Sequence, residues 1–451
     1  MLNKLLESET LVPNKTRLKP SVPSFSKSLI TVTSLSLLIS GCKLASNALH
    51  QAVAPKLHSY NQSSDALKEC NFNKLTDIVS NNQNELLKNS ELGLTYYFKN
   101  SPNESNRYFD KAIDIYRINE NKATIALSNI VRKEYQGEGF DKVFLHNYKA
   151  INYLMLGDAE SAIVEAKNSN LVQQQEKQKL YQFKEKYSKN NQNSHLVSRY
   201  DKLFNSVNPQ HNPYQNPFAY YISALGYAED GDYDNALVDI RNAIKFSGDN
   251  KILEEKLISY QKREDKPSVE LFFDVGQSPL KSQIKLKMDM GNGEQRMAYL
   301  PSYKLEISDI EYIKITNSKG EEVARASLLS DINAIKINEF KEKLPAILSI
   351  LTKEATISLG SKALDKKSKL LATIFKTGSA IYGQNDTSTW SLLPQKILVA
   401  SFMPKKDEQY KMVIINNNGD TIGEEPLDIK MGKNLKNLYK HYTIRNNKIC
   451  K

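Results

Sequence analysis

The sequence predicts an all-α, irregular helical solenoid followed by an α+β domain with antiparallel strands and a helical pair. Three observations carry this. From about Ala66 to Arg263 apolar residues recur at spacings of three and four, the period of an amphipathic helix. At Lys266-Pro267 the pattern changes to short alternating runs punctuated by Gly and Asn, the mark of strands and tight turns. The first 41 residues read as neither; they have the layout of an export signal. The expected order is therefore 1–41 signal, 42–65 polar tether, 66–265 helical domain and 266–451 α+β domain.

The signal begins with a basic arm carrying Lys4, Lys15, Arg17, Lys19 and Lys27. A short apolar stretch follows from Leu29 to Ile39. It is too short to cross a bilayer, which takes about 20 apolar residues. It ends in Ile39-Ser40-Gly41-Cys42, which resembles the lipobox of bacterial lipoproteins. In that family the cysteine receives diacylglycerol, the signal is cut before it, and the new amine is acylated, palmitate being a typical chain. Several acyl chains on one residue give firm anchoring, where one chain is marginal. The resemblance implies a membrane anchor at Cys42. Lys43 stands where Asp retains such proteins in the inner membrane, so the expectation is the outer membrane, facing the periplasm. The inner membrane and the cell surface stay open.

Net charge is +11, of which +3 sits in residues 1–41 and +8 on the rest. The charge is dispersed, which fits a solvated surface better than a polyanion site. Export argues against nucleic acid as a partner. With Cys42 lipidated, Cys70 and Cys450 remain. An even pair in an oxidising compartment is a candidate disulfide. Free buried thiols and an intermolecular bridge are the alternatives.

Within the helical half, three segments repeat a helix-turn-helix pattern: Leu87–Arg117, His146–Leu171 and Asn216–Ser247. Gly93, Ala150 and Ala224 fill one slot, Tyr96, Tyr153 and Tyr227 the next, and Ser105, Ala162 and Ala236 a third. Gly157-Asp158 and Gly231-Asp232 mark turns, and Asn100 precedes Pro102 in the first unit. These resemble tetratricopeptide repeats, in which small residues let paired helices approach and aromatics fill the gap between pairs. The turns at 100, 157 and 231 lie 57 and 74 residues apart, against the usual ~34, so extra helices intervene. Repeat stacks of this kind bind peptides on a concave face. The positions that would face that groove are Tyr97, Asn147 and Tyr221. His146 reads as a packed core histidine. Leu171–Tyr200 reads as a long exposed helix and Asn190–Asn216 as a loop.

In the C-terminal half, strands are expected at Val269–Val275, Gln283–Met288, Ile310–Thr316, Glu321–Ala326, Lys396–Phe402 and Tyr410–Asn416, with a short one at Thr421-Ile422. Gly291-Asn292-Gly293, Asn317-Ser318-Lys319-Gly320 and Asn418-Gly419-Asp420 are the hairpin turns. Asp331–Ser358 and Lys362–Tyr382 form the helical pair. Asp386-Thr387-Ser388-Thr389-Trp390-Ser391-Leu392-Leu393-Pro394 carries the only Trp, read as a packed anchor where a strand begins. This segment, Tyr148–Leu154, Val164–Lys167, the lipobox and the repeats together resemble a family of tetratricopeptide-repeat lipoproteins of Gram-negative bacteria. The likeness covers most of residues 42–425. It implies a role in the cell envelope, through neighbours that resemble activators of peptidoglycan synthases, and no catalytic residues. The chain departs from it at Ser388-Thr389, where Arg is expected.

No enzyme signature is present. The six histidines include no pair at metal-ligand spacing. Gly276-Gln277-Ser278 lacks the second glycine of a nucleophile elbow. Gly291-Asn292-Gly293 lacks the third glycine of a dinucleotide loop. The expectation is a non-enzymatic protein-protein interaction scaffold in the periplasm, without cofactor or metal, docking an envelope protein. The alternatives are a binder of envelope glycan or lipopolysaccharide, marked by a continuous basic stripe, and an enzyme with a polar trio around Asp386 and Trp390 in a deep pocket.

Overall fold

The computed structural model describes residues 60–122, 135–187, 194–205, 207–209, 211–264, 266–289, 295–305, 308–360, 388–430 and 437–450. Cys42, Lys43, the signal, the turn at 291–293, the second helix expected at 362–382 and Asp386-Thr387 lie outside them. The chain parts into two compact units, Met1–Ala54 and Pro55–Lys451, and all described residues belong to the second.

Helices fill its N-terminal half and strands most of its C-terminal half. The helices are α1 (60–68), α2 (Phe72–Ser80), α3 (Glu85–Phe98), α4 (Pro102–Lys122), α5 (Gly139–Leu156), α6 (Ala159–Tyr187), α7 (Ser194–Leu203), α8 (Pro217–Glu229), α9 (Tyr233–Ser247) and α10 (Lys251–Gln261). Three tight hairpins, α3–α4, α5–α6 and α8–α9, coincide with the three repeated segments. Their starts and stops are local chemistry. Asn84 and Asp232 cap α3 and α9 through their side chains, accepting the N–H of Leu87 and Asn235. Gly157 ends α5 at φ 76°, a left-handed turn that costs glycine nothing. The small slot is required in the first hairpin: a Cβ on Gly93 would come within 2.4 Å of the Phe109 ring.

Three expectations change here. Residues 60–65, assigned to the tether, open α1, whose Tyr60, Ala66 and Leu67 are buried. The segment read as a loop at 190–216 contains α7, because Leu196 and Tyr200 find a partner surface: the Tyr200 ring lies 5.2 Å from that of Phe340. The helix expected to be exposed over 171–200 is α6 up to Tyr187, and it buries Val172, Leu180 and Phe183.

The strands are β1 (Ser268–Val275), β2 (Leu280–Asp289), β3 (Gln295–Lys304), β4 (Ile310–Asn317), β5 (Glu322–Arg325), β6 (Ser327–Asp331), β7 (Lys396–Phe402), β8 (Tyr410–Asn416), β9 (Thr421–Leu427), β10 (Asn437–Arg445) and β11 (Lys448–Cys450), with α11 (Ile332–Gly360) between β6 and β7. They form a five-stranded sheet in the order β11-β10-β1-β7-β6, a four-stranded sheet β5-β4-β8-β9 and the hairpin β2-β3. The antiparallel expectation holds for every described pair but one: β1 and β10 run parallel over eight residues. β3, β6, β10 and β11 were not expected.

The result is three layers. One face of the five-stranded sheet packs on the four-stranded sheet through Val269, Leu271, Phe273, Ile313, Ile315, Ala400, Met412 and Ile414. Its other face packs on the helices: Phe272, Ile397 and Tyr439 share one core with Tyr97, Phe109, Tyr148, Phe218, Tyr221 and Trp390. All eight residues of β1 are buried, as a middle strand of a middle layer must be. The boundary expected at 265/266 thus separates types of secondary structure but not cores. A disulfide between Cys70 and Cys450, Cα atoms 5.1 Å apart, joins the two halves across 380 residues.

Candidate functional site

The three residues expected to line a docking groove are enclosed. Tyr97, Asn147 and Tyr221 are 1%, 0% and 0% exposed. For the two tyrosines the reason is the sheet. Along β1 and β10 the side chains that point to the helices are Ser268, Glu270, Phe272 and Asp274, and Asn437, Tyr439, His441 and Thr443, which pair with them in register. Tyr221 donates its hydroxyl to Glu270 Oε2 at 2.7 Å. Tyr148, the residue after Asn147, donates to Asp274 Oδ1 at 3.3 Å. The Tyr97 ring stacks on the His441 imidazole at 3.9 Å. Asn147 faces the other way and accepts a hydrogen bond from Ser169 of α6 at 2.7 Å. The helix faces that would meet a partner meet the chain's own sheet instead.

Burial tunes these groups. Asp274 is pushed up to about 7 by burial, although Arg445 and the Tyr148 hydroxyl pull the other way. Burial drops His441 to about 4. His146 is a packed histidine as expected: its Nδ1 lies 2.6 Å from Glu165, which also takes the Lys149 ammonium at 2.6 Å. Trp390 is fully buried, edge-on to Phe109 at 6.2 Å between ring centres, just before β7.

Around Trp390 lies a polar knot. Lys336 of α11 donates to Ser278 Oγ at 2.9 Å, Thr389 Oγ1 at 3.2 Å and the Trp390 carbonyl at 3.0 Å. Burial lowers the ammonium to about 8. Ser391 Oγ donates to Glu91 of α3 at 2.6 Å, and burial raises that carboxyl to about 7. Gln277 links Ser64 of α1 to the Ser391 carbonyl. A lysine against a serine resembles a base beside a nucleophile. Ser278 and Lys336, however, are 2% and 1% exposed, and the ammonium is saturated by three acceptors. As it stands the knot ties α1, α3, α11 and the loop before β7 together.

An open concavity lies elsewhere. A cleft of about 260 Å³ sits between α8, α9 and α10 on one side and the ends of β1, β7 and β10 on the other. Leu225, Ile252 and Phe402 supply apolar wall, and Ser268, Ser401 and Asn437 supply hydroxyls and an amide. Ile258 and Met403 stand at its rim, 49% and 61% exposed. Its lining charges are paired: Lys256 with Glu270 behind the wall, Lys266 with Glu264 at 3.5 Å, and Glu255 with Lys251 at 3.9 Å. Glu270 takes Ser268 Oγ at 2.7 Å, Ser401 Oγ at 2.8 Å, the Tyr221 hydroxyl and the Lys256 ammonium. Glu229 takes the Tyr439 hydroxyl at 2.9 Å and the Asn437 amide. A cleft with neutralised charges, apolar wall and neutral polar groups suits a peptide side chain rather than an ion or an activated nucleophile. Among the described residues no cluster of three His, Cys, Asp or Glu side chains could hold a metal ion. Sequence reasoning missed the cleft because its lining comes from residues 225–268, 401–403 and 437, with no motif joining them.

Compared with known proteins, the chain matches no family model, no curated protein and no solved structure.

Proposed function

We propose that this chain is a lipid-anchored envelope protein that acts by docking another protein and performs no chemistry of its own. Acylated Cys42 holds it to the periplasmic face of the outer membrane. The residues after Cys42 set its reach, and tetratricopeptide-like hairpins frame the docking region. The likeness to Gram-negative repeat lipoproteins and the Ile39-Ser40-Gly41-Cys42 signature support the anchor. The observation that carries the docking is the cleft between α8–α10 and the sheet. It is a concave surface with exposed Ile258 and Met403 at its rim, while the helix faces around Tyr97 and Tyr221 are closed by β1 and β10. The docking surface is therefore this cleft and not the groove expected from the repeats.

The test is in-cell photo-cross-linking from a benzophenone residue at position 403, with position 97 as the enclosed control. One envelope protein trapped from 403 and not from 97 is the expected result. Trapping from neither position removes the docking reading. Loss of fatty-acid labelling in Cys42→Ala checks the anchor separately.

A further inference from the structure

The outer edge of β10 carries main-chain groups that no described strand satisfies. Gly276 N–H donates to the Ile444 carbonyl, so Ile444 faces β1, and by the period of two so do Tyr442, Lys440 and Leu438. Asn437, Tyr439, His441, Thr443 and Arg445 then point their N–H and C=O groups away from β1. β11 takes up only the far end, pairing Thr443 with Cys450 and Arg445 with Lys448. Six residues of β10, Asn437 to Tyr442, continue past it with no strand on that side among the described residues.

Exposed edges invite pairing, and proteins blunt them. Three other edges here are blunted. β5 carries the Glu322–Arg325 ion pair at 2.9 Å. β9 carries Glu424, Glu425 and Pro426. On β6 the Leu328 carbonyl accepts from Asn250 at 3.2 Å. The stretch Asn437–Tyr442 has no proline, no acidic residue and a single lysine, Lys440, whose ammonium is turned back to the Asp428 carbonyl.

We propose that an extended peptide segment of the docked protein adds to this edge as a further strand, with an apolar side chain in the adjoining cleft. The inference rests on the docking reading above and names its partner chemistry. The occupant follows from what is unpaired: alternating amide donors and carbonyl acceptors at 437, 439 and 441 are the complement of another extended main chain. It follows also from continuity, since β11 already adds to this same edge and stops at Cys450. Asn437 belongs both to the edge and to the cleft wall, while Met403 follows β7 on the far side of β1, so it is a residue of the peptide beyond the added strand, past Asn437, that reaches the rim between Ile258 and Met403. Main-chain bonds supply affinity that tolerates sequence, and the cleft supplies the preference for an apolar residue.

The experiment uses the full chain in detergent micelles and a phage-displayed library of random decapeptides as probe. In the free protein the amides of Tyr439 and His441 exchange with solvent at least about 100-fold faster than those of Leu438, Lys440 and Tyr442, which are bonded to β1. Equal protection overturns the proposal, because the edge is then closed. Selected decapeptides carry an apolar residue, protect the 439 and 441 amides, and bind about 10-fold or more weakly to Met403→Arg. Decapeptides that bind and leave both amides exchanging overturn strand addition. A protein trapped from position 403 with those amides unprotected also overturns strand addition and leaves the docking reading standing. No decapeptide selected and nothing trapped from 403 removes both.

Discussion

The seam between helices and sheet and the cleft at the sheet's end are built from the same helices, yet they differ in one respect. At the seam the sheet's polar side chains meet helix groups: Glu270 takes Tyr221 and Lys256, Asp274 takes Tyr148, His441 stacks on Tyr97, and Asn437 and Tyr439 donate to Glu229. At the cleft the sheet's polar groups are satisfied within the chain, and Ile258 and Met403 stay exposed at a rim they share with Glu255 and Lys266. Tyr221 belongs to both: its ring lies in the seam, and its hydroxyl reaches Glu270 behind the cleft wall. The comparison teaches that an aromatic lining is not by itself a binding surface. Whether it binds a partner or its own chain depends on what else the fold brings to it. Here a parallel strand pair covers the helix faces around Tyr97 and Tyr221, and the cleft beyond the strand ends becomes the candidate site.

Five substitutions would break or sharpen the contrast, each measured by urea unfolding of the detergent-solubilised full chain. Trp390→Ala removes the largest fully buried side chain, where helices, α11 and β7 meet, and should cost about 3–5 kcal/mol. A cost below about 1 kcal/mol would mean the halves are not one core. Cys450→Ser opens the Cys70–Cys450 bridge and should cost about 2–4 kcal/mol; an unchanged midpoint would show that the seam holds without its covalent staple.

Asp274→Asn tests the buried carboxylates through pH. Asp274 keeps its proton up to about pH 7 in the folded chain, while the unfolded residue releases it near 3.9. Between those values the folded state binds more protons, so this group's contribution weakens as pH rises toward 7 and is level above it. Asn carries no such term. Relative to wild type, the variant should therefore gain stability from pH 4.5 to pH 7.5; parallel curves would place Asp274 in water. The last comparison is the smallest. Tyr221→Phe deletes one of four donors to Glu270 and should cost about 1 kcal/mol, whereas Met403→Asp at the cleft rim should stay within about 0.5 kcal/mol. A larger cost at Met403 would make the cleft part of the core.

Much of the fold was legible in local pattern. β7 and β8 fall on the expected residues, Lys396–Phe402 and Tyr410–Asn416, because a short apolar run such as Ile397-Leu398-Val399-Ala400, with β-branched residues and turn residues at its flanks, fits a buried strand better than a helix. The three hairpins were legible for the same reason, with caps and a left-handed glycine at their ends. β10 was not. Asn437-Leu438-Tyr439-Lys440-His441-Tyr442-Thr443 places polar groups on the face that packs against helices, so alternation cannot tell it from an exposed loop. Tyr97 and Tyr221 were legible as a matched pair of helix positions, but their exposure was not, since nothing local records that Glu270 and His441 arrive opposite them. The cleft had no local signal at all.

By itself the sequence determined the three helix hairpins, strands such as β7 and β8, which side chains repeat from hairpin to hairpin, and that Cys42 closes a lipobox-like run. Those are properties of neighbours along the chain: capping, period and turn chemistry act within a few residues. The tertiary structure decided that β1 pairs in parallel with β10 from 169 residues away at Ser268 and Asn437, that this pair closes the helix faces, and that Cys70 meets Cys450. Period identifies which face of an element is to be buried, but the partner that buries it is chosen by the global arrangement that leaves the fewest polar groups unpaired. Buried Glu270 and Asp274 are tolerable in β1 because Tyr221 and Tyr148 are there to donate to them.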